Sequence, residues 1–358
     1  MDESGARRGG AGAVLAVLAA ATLFGTTGTA QARGPSGTTP LGVGAARIVI
    51  GGVGLLVVLP RVGGSRRAAL ALWRTRWGVL AGVMTALYQV CFFAAVSRAG
   101  VALGTLVTIG SGPVIAGLLS WVLLKDRPRL SWVVATSVCV VGLALLIGSG
   151  PVFTGLLSWV VLRDRPRSSW VVATSVCVVG LGLLVGADAG GSGGPMLGLV
   201  LALCAGAAYA VYTVGAKHLM NSGHRSDDVM TAAFVLGGLL MVPLLLTQPL
   251  AWLATPRGLV MALWLGLATT TLAYVLFGRG LRQLSAGPVT TLVLAEPVVA
   301  TILGVVVLGE RLPVVAWVGA ALVLAGLALQ GVVAARGGAA SEPARRTEDA
   351  VRGEGFPL

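Results

Sequence analysis

The chain has 358 residues, of which 56% are apolar and only 11% charged, against roughly 25% charged in an average soluble domain. That balance excludes a soluble globular fold, whose interior is too small to hide so much apolar side chain. The net charge of +13 does not signal nucleic acid either, because the basic residues are scattered through short breaks and form no basic face interleaved with aromatics.

Apolar runs of about 20 residues, the length that crosses a ~30 Å hydrocarbon layer, recur along the sequence. In chain order they predict helices over 11–30, 41–59, 78–97, 101–124, 131–147, 149–162, 169–187, 196–216, 229–247, 258–277, 286–308 and 313–334. The expected fold class is therefore an all-α polytopic membrane protein of ten to twelve transmembrane helices. Arg7 and Arg8, the apolar run that follows them and Ala30-Gln31-Ala32 also have the layout of a cleaved signal peptide. The run is long enough to span, however, and the repeat described below needs it as a helix. Cys91, Cys139, Cys177 and Cys204 all lie inside apolar runs, and His218 and His224 stand apart in a polar break. None has metal-ligand spacing, so neither a metal nor a cofactor is expected.

The breaks carry the orientation. With the N-terminus cytoplasmic, alternation places 21 of the 26 basic residues on the same side, leaving Arg33, Arg47, Arg98, Arg257 and Arg311 elsewhere. The positive-inside rule then puts both termini in the cytoplasm of a bacterial cell, with the bundle in its inner membrane.

Repeats are the most informative feature. Residues 110–147 and 148–185 match at 31 of 38 positions, a tandem duplication. A fainter third copy near the C-terminus keeps the same spacings. Pro297, Glu310-Arg311 and Gly326-Leu327 correspond to Pro113, Asp126-Arg127 and Gly142-Leu143. The charge rule puts Asp126 inside and Glu310 outside, so the same motif ends helices of opposite direction. Two inverted five-helix repeats are expected, with the 38-residue duplication adding up to two spans to the first. Residues 1–189 form the N-terminal repeat, 190–195 a Gly-rich linker, 196–335 the inverted C-terminal repeat and 336–358 a disordered cytoplasmic tail. The second copy, 148–185, is the preferred candidate for displacement, because 101–109 complete a full helix ahead of the first.

Glu296 is the one acid expected within the hydrocarbon region, where a charge costs at least ~2.5 kcal/mol on insertion scales. It must face a wet cavity or a neighbouring helix. Two roles follow: proton coupling or recognition of an amine-bearing substrate, and hydrogen-bonded packing. Pro297 removes a backbone donor and should free the Val293 carbonyl for a ligand or water. Arg47, seven residues into its helix, is expected either to snorkel to the outer interface or to guard the outer mouth. Stripes at helical spacing place Thr26, then Tyr88, Gln89 and Phe92, then Tyr209 and Tyr212, then Trp264 and Tyr274 on single faces as pocket or packing residues. Trp121, Trp132, Trp159, Trp170 and Trp317 are expected as belt anchors at the membrane interfaces.

The five-plus-five helix count, the Pro-x(12)-[DE]-Arg spacing in both halves, LAEPVVA at 294–300, Arg47, and AAYAVYTVGAKHL at 207–219 resemble the EamA-type branch of the drug/metabolite transporter superfamily. The resemblance covers about residues 11–335. It implies a secondary exporter of small metabolites, often amino-acid-like, or of drug-like compounds, without ATP. The expected partners are a small-molecule substrate, protons as a coupling ion and the lipid bilayer, with no nucleic acid, in a monomer or homodimer. No enzyme is expected, since no nucleophile-base pair or metal cluster is present on facing helices. The alternative reading is a membrane-embedded structural or regulatory protein, inactivated as a carrier by its duplication.

Overall fold

The computed structural model describes residues 3–99, 101–126, 130–146, 194–309 and 320–329. The spans expected over 149–162 and 169–187 and the tail 336–358 lie outside the described residues, as do the first part of the span expected over 313–334 and most of the 190–195 linker.

The first half contributes α1 (Glu3–Ala32), α2 (Pro40–Val58), a short α3 (Arg66–Ala71), α4 (Arg76–Ala99), α5 (Val101–Leu124) and α6 (Leu130–Leu146). The second contributes α7 (Gly194–Asn221), α8 (Ser226–Leu246) and a long span built of α9 (Pro256–Leu263), a π-helical segment (Trp264–Leu272) and α10 (Ala273–Gln283). It continues with α11 (Ala286–Leu292) and α12 (Ala295–Leu308), and with the described part of α13, Ala320–Leu329. Eight helices among the described residues are long and apolar enough to cross a membrane, and two shorter apolar helices fall where the fifth span of each half is expected.

Local chemistry sets the boundaries. Thr39 caps α2, its hydroxyl accepting from the Gly42 N–H at 3.0 Å, and Pro40 occupies the first turn, where its missing donor costs nothing. The 3₁₀ turn Leu59–Val62 that follows α2 stops at Gly63, and α12 stops at Gly309. Both glycines are left-handed, with φ of +83° and +72°, a conformation costly to other residues. Val79, Val83, Leu87 and Val90 form an exposed apolar stripe on α4, as a helix facing lipid requires.

The two halves cross at α2 and α8, and the crossing is reciprocal. A Cβ on Gly52 would lie 2.8 Å from the Phe234 carbonyl, and a Cβ on Gly238 would lie 3.2 Å from the Ile48 carbonyl. Ile48 and Gly52 are four apart, as are Phe234 and Gly238, so each helix offers a carbonyl and a glycine to its partner. Between lipid-immersed helices, where the hydrophobic effect gives no net drive, such close backbone approach supplies the dispersion energy of association. The other contacts between halves pair off with the roles exchanged. As α4 and α5 pack on α7, so α10 and α12 pack on α1, and as α8 packs on α4, so α2 packs on the π-helical segment.

Each end of this crossing is tied down. At one end the buried Asp228, in the first turn of α8, accepts from the Ser65 N–H at 2.8 Å, and Arg225 donates to the Val62 carbonyl at 3.3 Å. At the other end Thr39 donates to the Gln248 side chain at 2.7 Å. Each tie joins the start of one helix to the chain leaving the other. With the span expected to begin at 229, the sequence places Asp227 and Asp228 in the preceding loop; they instead form the first turn of α8 and are buried, where the helix dipole favours them.

Trp132 also departs from expectation. It is a packing residue rather than an interface anchor. Its indole fills the spaces left by Gly117 and Gly287, and its N–H is buried with no partner among the described residues. The Asp228 tie yields a prediction. Asp228→Ala leaves the Ser65 amide unsatisfied and should destabilise the protein by about 1.5–3 kcal/mol, whereas Asp228→Asn keeps an acceptor and should lose less. Thermal unfolding of the purified protein in detergent measures both.

Candidate functional site

A cavity of about 310 Å³ lies between the halves. One wall is α1, through Phe24, Gly25, Thr27, Gly28 and Gln31, whose spacing marks a single helical face. The facing wall is α4, through Tyr88, Gln89, Phe92 and Phe93, with Tyr209 of α7 beside it. Arg47 from α2, Tyr274 from α10 and Glu296 from α12 complete it. From these deep residues the cavity extends to Gln31, Pro40 and Val96, at the end of the bundle where α1 ends and α2 begins.

The opposite end is closed by rings. Phe92 contacts Tyr88 (5.9 Å between centroids), Tyr88 contacts Tyr209 (5.9 Å), and Tyr209 contacts Tyr212 (5.4 Å). Tyr212 meets Phe234 (6.3 Å), which lies 3.9 Å from Tyr274, and Tyr274 meets Phe24 (5.0 Å). All four tyrosines of the chain belong to this layer, which links α4, α7, α8, α10 and α1. Offset and edge-to-face pairs of this kind add about 0.5–1.5 kcal/mol each beyond burial.

The span holding Glu296 is broken. Proline at 297 cannot donate to the Val293 carbonyl, and the helix interrupts at Val293–Leu294 before α12 begins. The Val293 carbonyl is not left open for a ligand, as the sequence had suggested, because the Glu296 N–H bonds to it at 2.9 Å. The break instead places Glu296 in the first turn of α12, where the helix dipole favours a carboxylate. Gly25 lets α1 approach that turn, since a Cβ there would lie 2.8 Å from the Glu296 carbonyl.

Arg47 turns into the protein, its Nε donating to the Thr270 hydroxyl at 3.3 Å. The single ion pair among the described residues joins Arg225 and Asp227 at 3.9 Å. Arg47 and Glu296 therefore share the cavity wall without being joined. Among the described residues, Gln89, buried to 2% exposure, has no hydrogen bond, and the buried Thr27 hydroxyl, also on the wall, has no partner. The cavity thus presents one cation, one carboxylate and the neutral polar groups of Thr27, Gln31, Gln89, Thr108 and Thr290 among aromatic faces.

The first half has Gly112 before Pro113 where the second has Glu296 before Pro297. The structure supplies a physical reason for the difference: a Cβ at Gly112 would lie 2.9 Å from the Tyr209 ring. The place of a second acid is taken by an aromatic.

Of the residues singled out from sequence, Arg47, Tyr88, Gln89, Phe92, Tyr209, Tyr274 and Glu296 meet on this cavity. Four do not line it. Tyr212 is buried in the aromatic layer behind Tyr209, and Pro297 is buried in α12. Trp264 is 45% exposed on the outside and donates its indole N–H to Thr26 at 3.0 Å, so that pair ties α1 to the π-helical segment. Thr27, Gly28 and Gln31 were missed. They lie on the α1 face next to Thr26, and a helical wheel centred on Gly25 and Gly28 would have found them.

The close approach at Gly25 can be tested. Gly25→Leu forces α1 off α12 and should cost about 1–3 kcal/mol by overpacking, whereas Gly12→Leu, with nothing within 4 Å, should be nearly neutral. Melting temperatures of the two variants in detergent give the comparison.

Comparison with known proteins agrees with this architecture. The EamA-like transporter family model matches residues 11–148 and again 196–331, leaving out a segment that contains nearly all of the second tandem copy and the linker. The chain is 37% identical over 313 residues to the "Uncharacterized transporter YwfM" of Bacillus subtilis (strain 168), covering 87% of this chain and 91% of that one. A solved crystal structure with 19% sequence identity superposes with a TM-score of 0.66, covering 90% of this chain and 98% of the other, which supports the fold. The chain is a multi-pass membrane protein and belongs to the EamA-like transporter family.

Proposed function

We propose that the protein is a secondary exporter of small metabolites or drug-like compounds, which binds its cargo in the cavity between the halves and releases it by alternating access. The observation that carries this reading is the pair of opposite charges, Arg47 and Glu296, unjoined on the wall of one internal cavity. Charges held inside a lipid-embedded bundle are costly, and a purely structural role would pair them. Left apart, they serve a cargo or a proton.

The two-fold relation of the contacts supports a rocking mechanism, in which two halves of opposite polarity exchange which end of the cavity is sealed. With the N-terminus cytoplasmic, as the basic residues favour, the cavity extends toward the outer face, and the aromatic layer with the Asp228 tie closes the inner one. This corresponds to an outward-facing state in a bacterial inner membrane, with both termini inside. Glu296 is the coupling group, taking a proton or the cationic end of a substrate.

Reconstituted transport in vesicles with an imposed pH gradient, over a panel of labelled amino acids and cationic dyes, tests the reading. Glu296→Gln should abolish gradient-driven transport while leaving the amount of protein in the membrane unchanged. Wild-type rates in that variant would remove Glu296 from the mechanism.

The second tandem copy is an insertion on this reading. Two observations support it: the family match runs only through the first copy, and α6 of that copy is bound into the bundle. Thr136 and Thr291 share a hydrogen bond of 2.8 Å, and the Cys139 thiol lies 3.6 Å from the Val323 carbonyl. Excision of residues 148–185 should leave transport within about twofold of wild type. A large gain on excision would favour the alternative, a carrier jammed by its duplication.

A further inference from the structure

We propose that Thr270 is the positioning residue that makes the cavity selective for substrates bearing a carboxylate, by holding Arg47 at the cavity wall. The inference rests on the cavity being the transport site, as argued above.

Between α9 and α10 the chain winds as a π-helical segment, Trp264–Leu272. In an α-helix a threonine hydroxyl that bonds back reaches the carbonyl three or four residues earlier. Here the Thr270 hydroxyl reaches Leu265, five residues back, at 2.9 Å, and Thr271 reaches Gly266, also five back, at 3.2 Å. The wider turn brings consecutive threonines against α2. The single proton of Thr271 is shared with the Gly51 carbonyl, 3.1 Å away, and the Thr270 methyl fills the space that a side chain at Gly51 would need. Such π-turns are uncommon and concentrate at functional sites.

Hydrogen-bond arithmetic fixes what Thr270 does next. A hydroxyl has one proton and two lone pairs. The proton of Thr270 is committed to Leu265, and the residue is fully buried, at 0% exposure. Only acceptor capacity remains, and it meets the Arg47 Nε at 3.3 Å. An arginine this near a helix end ordinarily extends its head group to the interface. Binding Nε to a buried acceptor keeps it inside. Tyr274 takes a further hydrogen bond from Arg47, and the rest of the guanidinium, whose terminal fork matches a carboxylate in bidentate geometry, stays on the cavity wall.

Glu296 forms no ion pair with it within 4.0 Å, so the neutral hydroxyls of Thr270 and Tyr274 hold Arg47 without neutralising it. The missing counter-charge is an anion that arrives with the substrate. A permanent cation without a carboxylate would leave the Arg47 charge uncompensated in a low-dielectric site and would be disfavoured.

The experiment compares uptake into proteoliposomes of labelled L-leucine and L-phenylalanine with that of phenylalaninamide, whose carboxylate is capped, and of tetraphenylphosphonium. Wild-type protein should transport an amino acid and neither cation. Thr270→Val removes the acceptor at nearly constant volume and should raise KM about tenfold, the equivalent of one hydrogen bond of about 1.4 kcal/mol, with the maximal rate within about twofold. Thr270→Ser should restore KM. Arg47→Lys, which loses both Nε and the fork, should raise KM at least as much, and adding Thr270→Val to it should raise KM no further, as expected of two partners in one interaction. A threonine needed only for packing would lower the amount of folded protein or the maximal rate, and would not couple to Arg47.

An unchanged KM in Thr270→Val overturns the inference, as does an additive double variant where the valine variant folds poorly. Transport of tetraphenylphosphonium or of the amide with no transport of amino acids overturns it too. In that case, gradient-driven transport that still depends on Glu296 would leave the exporter reading intact.

Discussion

The packing of Gly52 against the Phe234 carbonyl, and of Gly238 against the Ile48 carbonyl, is the contact on which the rest of the molecule is arranged. It brings two backbones together where side chains would hold them apart, and it does so twice with roles exchanged. Once α2 and α8 are fixed in that way, each remaining helix of one half has a determined neighbour in the other. The paired contacts of α4 with α7 and of α10 with α1 follow from it. So do the two terminal ties, Asp228 to Ser65 and Thr39 to Gln248.

A near-symmetric scaffold of this kind leaves a central gap, and function enters where the symmetry is broken. The second half carries Glu296 and an interrupted helix; the first carries Gly112 and a continuous one, with the Tyr209 ring filling the vacated place. Arg47 has Ala233 at the matching position along α8, counted from the reciprocal Ile48 and Phe234. The acid and the base therefore both lie off the two-fold relation, half-buried among aromatic faces. A low-dielectric surround raises the worth of each charge to a bound partner and the cost of leaving it without a counter-charge.

Much of this was legible in the sequence. The α5 boundaries, 101–124, match the expected span, and the single acid in a hydrocarbon run, Glu296, lies on the cavity. Such features are local, since length and hydropathy fix a span and one charge in an apolar run has few places to go. The π-helical segment was not legible. Its expected signature, apolar residues at helical spacing, is shared with an α-helix, and the widened turn depends on Thr270 and Thr271 finding Arg47 and Gly51 across the interface. For the same reason Trp264 was misplaced. A shift of register by one residue rotates a side chain about 100° round the helix, and Trp264, at the start of the wide turn, lies on the outer surface with its N–H on Thr26. Burial of Asp228 was also beyond sequence reasoning, because its partner, the turn at Ser65, is more than 160 residues away.

The account as a whole requires that the two halves thread the membrane in opposite directions. Cysteines placed at Asp126, which follows α5, and at Gly309, which follows α12, report this directly when labelled with an impermeant thiol reagent in intact cells and in inverted vesicles. The account predicts that position 126 reacts only from the cytoplasmic side and position 309 only from the outside. Labelling of both from one side would contradict the inverted arrangement and, with it, the alternating exposure of the cavity.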